Sequence, residues 1–364
     1  MSYSLVIVES PAKCSKIENY LGAGYRCMAS FGHLRVLNDL KCVDIGNNFK
    51  PTFNVADSKR QQISKLRKAI GGASEVILAS DDDREGEAIA WHICQLFDLP
   101  VKTTKRIIFH EITKTALQKA ITKTTTINMD VVYAQQARQI LDLIVGYKLS
   151  PILWQKISYN TKAGLSAGRC QTPALRIVYD NQKQIDESPG KKVYQTTGKF
   201  TSKNIPFVLA HNHCSEEEME KFLEDTVNHD HEYKCGKKRN TTKQPPTPFT
   251  TSTLQQMSSN ELRYSPKDTM RLCQTLYEGG YITYMRTDSK TYSKDFLKTA
   301  TKLITDQYGA DYVSADIENM SERQQTTKKA SLKKGTKKDQ NAQEAHEAIR
   351  PTKLACKMIP ETVG

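Results

Sequence analysis

Two short apolar runs constrain this chain more than any other feature. Ser4 to Glu9 (SLVIVE) and Glu75 to Ser80 (EVILAS) are brief and β-branched, and each leads into a helix start, so both read as buried strands. After the first, Ser10 can cap a helix and Pro11 suits its first turn; the helix is expected over about Ala12 to Tyr20, stopping near Gly22. After the second, a helix is expected over about Arg84 to Phe97, with Ile89, Ile93, Leu96 and Phe97 as its apolar positions. Strand, helix, strand, helix predicts an α/β domain over residues 1–115.

The remainder changes character three times. From Asp130 to about Asp186 the pattern is mostly helical, with one helix expected from Tyr133 to Ile152 and ending at Ser150-Pro151. Residues 190–240 shift to short alternating runs such as Val193 to Thr197 and Phe207 to Leu209, which read as strands. Lys237 to Pro248 (KKRNTTKQPPTP) reads as a linker, and helical patterning returns from Ser252. A lysine-rich stretch from Arg323 to Gln340 reads as a solvated loop. The expected organisation is multidomain, α/β and α: residues 1–115, a helical domain over 130–189, a β-rich segment over 190–244 and a helical domain over 245–364.

Charge narrows the partner. Lys plus Arg number 53 against 40 acids, a formal charge of +13 over 364 residues, which favours a polyanion, either nucleic acid or an anionic membrane. No apolar run approaches the roughly 18–20 residues that span a bilayer, and Met1 to Glu9 lacks the basic start of a signal peptide, so no membrane role is expected. The nine cysteines never stand two residues apart, which excludes zinc-ribbon spacing and suits free thiols in an intracellular protein.

The strongest local signal is Asp81-Asp82-Asp83-Arg84-Glu85-Gly86-Glu87, which follows one buried strand and opens a helix. Acids at a helix start can simply complement the dipole. Glu9, however, ends the other strand. If the strands are parallel, both sets of acids project from one carboxyl edge, where α/β proteins place their sites. Clustered carboxylates repel unless a cation joins them, and an all-oxygen donor set suits Mg²⁺.

Glu9 after one strand, with Asp81, Asp83 and Glu85 after another, resembles the Toprim domain of topoisomerases, primases and some nucleases. Gly280 to Ser289 (GYITYMRTDS) resembles the active-site segment of type IA DNA topoisomerases. Tyr284 is one of 16 tyrosines, and a phenol with a pKa near 10 is a poor nucleophile, but Arg286 can face the same side of an extended segment and fork two hydrogen bonds to a phosphate. Glu9 to Lys13 (ESPAK), Phe31 to Leu34, Ser166 to Thr172 (SAGRCQT) and His346 to Thr352 (HEAIRPT) resemble further segments of that family, in family order. A Toprim primase or nuclease would leave Tyr284 to Ser289 unexplained.

The resemblance implies an ATP-independent isomerase that cuts one DNA strand through a 5′-phosphotyrosine at Tyr284, passes DNA and reseals. It implies that Arg286 holds the scissile phosphate, that Lys13 assists the departing 3′-oxygen and that Glu9 serves acid–base or metal-linked roles. Asp81 and Asp83, with Glu9 and Glu85, would hold Mg²⁺. His33 and His346 would contact or position DNA, with Arg350 one helical turn on from His346. Single-stranded DNA would run along Arg138, Gln139, Asp142, Leu143, Lys148 and Gln155, and over the turn Ser166, Ala167, Gly168, Arg169, Cys170 and Gln171. Met285 before Arg286 resembles topoisomerase I more than the III-like decatenases. The expected substrate is negatively supercoiled DNA, acted on by a monomer. The chain stops at Gly364, soon after Thr352, without the segments by which the family closes its core into a ring. By itself it is expected to bind DNA and cut it weakly, and the rival reading is a DNA-binding remnant without strand passage.

Overall fold

The structure, a computed structural model, describes residues 3–158, 164–241, 243, 245–321, 347–356 and 358–360. His346 and the lysine-rich stretch from Arg323 to Gln340 lie outside the described residues. Two compact units emerge: Met1–Lys148 together with Pro245–Gly364, and Leu149–Gln244 between them in sequence.

The first unit is organised by a parallel sheet. Strand β1 (Ser4–Val8) leads into helix α1 (Pro11–Leu21), capped by the Ser10 hydroxyl and stopped at Gly22. Strand β2 (Tyr25–Ala29), helix α2 (Arg60–Gly71), strand β3 (Glu75–Leu78), helix α3 (Arg84–Leu96), strand β4 (Lys105–Arg106) and helix α4 (Lys114–Thr122) follow. The sheet order is β2-β1-β3-β4, all parallel. Strand side chains alternate between faces, so one sheet feeds two cores. Leu5, Ile7 and Leu78 meet Leu66 of α2 and Ile89 and Ile93 of α3. Val6, Val8, Ile77 and Ala79 meet Ile17 of α1, Leu117 of α4 and, from far along the chain, Cys273, Tyr277, Tyr284 and Met285. Each aliphatic side chain buried in this way contributes about 1.5–3 kcal/mol. Ile7 pairs with Leu78, so Glu9 and Asp81 both emerge just beyond the same carboxyl edge.

Helix α5 (Met129–Lys156) begins in this unit, and the division falls within it, between Lys148 and Leu149. The sequence predicts an end at Ser150-Pro151, yet the helix continues past Pro151. Proline removes one backbone donor, but a helix this long carries the loss, and Ile157 N–H bonds to the Leu153 carbonyl beyond it.

The second unit adds helix α6 (Gln171–Glu187), an antiparallel pair β5 (Thr197–Phe200) and β6 (Ile205–Val208), and helix α7 (Glu216–Val227). Helix α7 lies where the alternating pattern predicts strands. Ser215 caps it by accepting from Glu218 N–H, and Glu216, Glu217 and Glu218 fill its first turn, so end chemistry overrides the alternation.

The chain returns to the first unit with helices α8 (Thr251–Leu262), α9 (Pro266–Glu278) and α10 (Lys294–Tyr308). Gly280 ends the α9 turn at φ +69°, and a Cβ there would meet the Ile112 carbonyl oxygen at 2.7 Å. Only glycine permits this turn so close to the sheet domain. It delivers Tyr281 to Thr287 as a non-helical segment, held by Tyr284 N–H on the His110 carbonyl at 2.8 Å and Thr283 N–H on the Arg350 carbonyl at 2.9 Å.

Candidate active site

The acidic loop between β3 and α3 is built from beneath. Asp83 caps α3, accepting from Gly86 N–H at 2.8 Å. A Cβ on Gly86 would stand 2.1 Å from the Asp81 carbonyl oxygen, so glycine lets the loop fold tightly onto its own helix. Arg106, fully buried, donates to the Ser80 and Asp81 carbonyls at 2.9 Å each and pairs with Glu87 at 2.7 Å. This buried pair has its hydrogen bonds satisfied, which is the condition for tolerating ions in a core.

Above that floor the acids engage the tyrosine segment. Glu9 accepts from Asp81 N–H at 2.9 Å. Lys13, completely buried, pairs with Asp81 Oδ1 at 2.5 Å. Tyr284 donates its phenol to Asp83 Oδ2 at 2.5 Å, and Arg286 Nη1 reaches the same oxygen at 3.2 Å. Tyr284 is buried while the Arg286 guanidinium is exposed, so one side chain is shielded and the other faces incoming anions. His110 pairs with Asp82 at 2.8 Å.

The environment shifts the key groups strongly. Burial, reinforced by the Asp81 charge and opposed by Lys13, pushes Glu9 from 4.5 up to about 7. Burial and the charges of Asp83 and Asp81 push the Tyr284 phenol well above its ordinary value, with Arg286 acting against them. Glu85 is held below the usual carboxylate range by its hydrogen bond to His33 at 2.8 Å. Among the described residues no three His, Cys, Asp or Glu side chains form a ready-made metal cage. An open, all-carboxylate edge is the donor set that suits a cation keeping several of its waters.

A tyrosine and an arginine sharing one carboxylate, beside a buried lysine on a parallel-sheet edge, can be compared with known families. The family model described as "Toprim domain" matches residues 4–112, and that described as "DNA topoisomerase" matches residues 126–361. This chain belongs to the bacterial type IA DNA topoisomerase family. It is 38% identical to DNA topoisomerase 1 of Synechococcus elongatus over 400 aligned positions, covering 98% of this chain and 43% of that protein. It superposes on full-length topoisomerase I from Thermotoga maritima with a TM-score of 0.74 at 36% identity, covering 96% of this chain and 55% of that one. The chain thus spans about half the length of these relatives. The fold is therefore the expected one, a Toprim α/β domain followed by a helical topoisomerase core. Type IA topoisomerases act on DNA, and the Toprim domain is a metal-binding domain. Among the described residues, no helix is long and apolar enough to cross a membrane.

The other residues that the topoisomerase resemblance singles out fall in different places. Glu347 to Thr352 is not helical, against the expected helical turn, because it forms bridges with Phe249 and Ile282; Arg350 backs the tyrosine segment through its main chain, and its guanidinium pairs with Glu111 at 3.1 Å and Glu347 at 2.6 Å and lies over Phe296. Arg350 and Glu111 line a cavity of about 850 Å³ whose described lining does not include Tyr284 or Lys13. In the first unit, Arg138, Asp142 and Lys148 are exposed on α5, with Gln139 and Leu143 half-buried. In the second unit, Gln155 is exposed, and the Ser166–Gln171 turn is stitched at the start of α6. There Ala167 N–H bonds to the Ser150 hydroxyl at 3.1 Å, Gly168 N–H to the Thr172 hydroxyl at 3.1 Å, and the Gln171 amide to the Ser166 hydroxyl at 2.8 Å. The sequence reading misses Arg106, His110 and Tyr277, and the pairing of Glu87 with Arg106, because these roles arise only from pairings distant in sequence. It also misses Gln135, which donates to Glu85 at 3.3 Å, and whose carbonyl oxygen, like that of Gln139, is buried with no partner among the described residues.

Proposed function

We propose that this chain carries the cleavage and religation chemistry of a type IA DNA topoisomerase, with Tyr284 as nucleophile. The observation that supports it most is the shared carboxylate: Tyr284 and Arg286 converge on Asp83 Oδ2 beside the Lys13–Asp81 pair. A scissile phosphate replacing that carboxylate as the Arg286 partner would sit against the phenol oxygen. The Tyr284 oxygen then bonds to phosphorus, the bond from phosphorus to the 3′-oxygen breaks, and a 5′-phosphotyrosine remains. The phenol proton has Asp83 Oδ2 as its nearest acceptor. Glu9, pushed up to about 7, retains a proton over part of the neutral range and with Lys13 suits protonation of the departing 3′-oxygen. Religation is the reverse.

Asp81 and Asp83, with Glu9 and Glu85, are the residues that would hold Mg²⁺. Together they offer an all-oxygen donor set, which fits a divalent cation that keeps several of its waters. A cation held by these residues would offset charge on the acids and on the phosphate. Single-stranded DNA is proposed to follow α5 and the Ser166–Gln171 turn, where the dipole at the start of α6 and Arg169 favour phosphate. His33 and His346 are proposed to position that strand. The complete activity is relaxation of negatively supercoiled DNA by a monomeric, DNA-associated intracellular enzyme, topoisomerase I-like rather than a III-like decatenase. The test is covalent capture on an end-labelled single-stranded oligonucleotide. Wild type should form a denaturation-resistant adduct, and Tyr284→Phe should form none while binding the oligonucleotide within a few-fold of wild type. Adducts that persist in the variant would exclude Tyr284.

A further inference from the structure

A second tyrosine shares the site. Tyr277, near the end of α9, is fully buried and among the largest side chains that are. Its hydroxyl donates to Asp81 Oδ1 at 3.3 Å, the same oxygen that pairs with Lys13. Its ring meets the Tyr284 ring edge to face, with centroids 5.1 Å apart at 67°. The Lys13 ammonium stands 4.9 Å from the centre of that ring. One residue therefore touches the nucleophile, the buried lysine and an acid of the Toprim edge.

We propose that Tyr277 is a positioning residue for strand cleavage: its hydroxyl fixes Asp81, and its ring holds Tyr284 and Lys13 in register. Tyr277 is not a spare nucleophile. Burial and the charge of Asp81 keep its phenol protonated, so it acts as a donor. Its polar end is tied into the Toprim edge, while its ring presents an edge-to-face contact that restricts the Tyr284 ring without bonding to its reactive oxygen. Tyr277 and Tyr284 lie on one continuous segment, with the turn at Gly280 between them. Seating that segment on the sheet therefore delivers the nucleophile and its alignment together. The fit with Lys13 adds a cation–ring attraction in a desolvated place, where such contacts are strongest. Reactions of this kind are sensitive to displacements of about 1 Å, so losing one contact of this set lowers the rate without touching the DNA-binding surface.

The proposal rests on the cleavage reading above, and the experiment separates the two. Tyr277→Phe keeps the ring and removes only the bond to Asp81; Tyr277→Leu removes the ring contacts as well. Adduct formation is measured on a single-stranded oligonucleotide at saturating DNA, with the oligonucleotide Kd and thermal stability measured in parallel. The expected order is wild type, then Tyr277→Phe lower by about ten-fold, then Tyr277→Leu lower by about ten-fold more, with Kd unchanged within about two-fold. Partial retention by the phenylalanine variant, at unchanged Kd and stability, is the signature that a purely structural role does not produce. Should Tyr277→Leu fail to fold, Tyr277→Phe against wild type still decides. Rates within about two-fold of wild type in the phenylalanine variant, or a Kd that worsens in step with the rate, overturn the positioning role. An adduct-free wild type overturns the cleavage reading and this proposal with it.

Discussion

The two compact units use similar apolar residues in opposite ways. In the first, Leu5, Val6 and Leu78 are wholly buried, and both faces of the sheet are covered. In the second, α6 has no buried residue, and Leu175, Ile177 and Val178 are 69%, 71% and 64% exposed. Burial of apolar surface dominates local stability, so the difference separates a densely packed unit, here termed the platform, from a sparsely packed one, here termed the arm. The chemistry sits on the platform: Lys13, Asp81, Asp83 and Tyr284 are fixed by packing and by hydrogen bonds from several directions. The proposed strand-binding turn sits on the arm.

The largest expected effect tests that contrast directly. In native-state hydrogen exchange, amides of β1 and β3 should be protected about a thousand-fold more than those of α6, because the strands open only with the whole platform while α6 can open locally. Equal protection in the two regions would mean that the exposed face of α6 does not weaken it.

The second contrast is chemical. Arg286→Ala should slow adduct formation by about a hundred-fold at saturating oligonucleotide, since it removes a charged donor aimed at the reacting phosphate, while the Kd changes only a few-fold. A loss confined to Kd would move Arg286 from cleavage to binding.

Much of the platform was legible in the sequence, and the reasons are local. The runs at Ser4 and Glu75 carry their own boundaries in Ser10, Pro11 and Asp83, so strand, cap and helix could be read within a few residues. Tyr284 and Arg286 were legible as a motif. Arg106 was not: it lies on a two-residue strand, and its partners Glu87, Ser80 and Asp81 are brought to it only by the parallel sheet. Tyr277 reads in sequence as one more apolar position of an amphipathic helix, and only the turn at Gly280 sets it against Asp81. In the arm, alternation hid α7, whose real signal was the cap at Ser215, and Pro151 suggested an end that α5 does not have.

Acid should single out the platform. His92 is buried beside His33 and Arg35, and burial first, then those two charges, push it from 6.5 down to about 3. Below pH 6.5 the unfolded chain binds a proton that the folded chain refuses, so stability is intact above that pH and falls as the pH drops toward 3. The slope approaches about 1.4 kcal/mol per unit and is half that at pH 6.5, so about 1.6 kcal/mol is lost between pH 6.5 and 5, a roughly fifteen-fold change in the unfolding constant. His92→Leu should flatten that limb for β1 and β3 amides and leave α6 unaffected. An unchanged slope in the variant would place the acid sensitivity elsewhere.

The smallest effect belongs to the arm and distinguishes binding from chemistry. Arg169 lies in the turn that opens α6, where Gly168 and Thr172 fix the backbone and the helix start favours anions. If it neutralises one phosphate, Arg169→Ala should weaken single-strand binding several-fold near 0.1 M salt. The slope of log K against log salt should fall by about 0.7, the amount released per phosphate on single strands. Adduct formation at saturating oligonucleotide should stay within about two-fold of wild type, because Tyr284, Arg286 and Lys13 are untouched in the other unit. The salt titration decides between two ways of losing affinity. A uniform loss with an unchanged slope would mean that the substitution merely loosens an already exposed helix. A shallower slope with an unchanged cleavage rate would show that the arm binds the strand electrostatically while the platform alone performs the reaction.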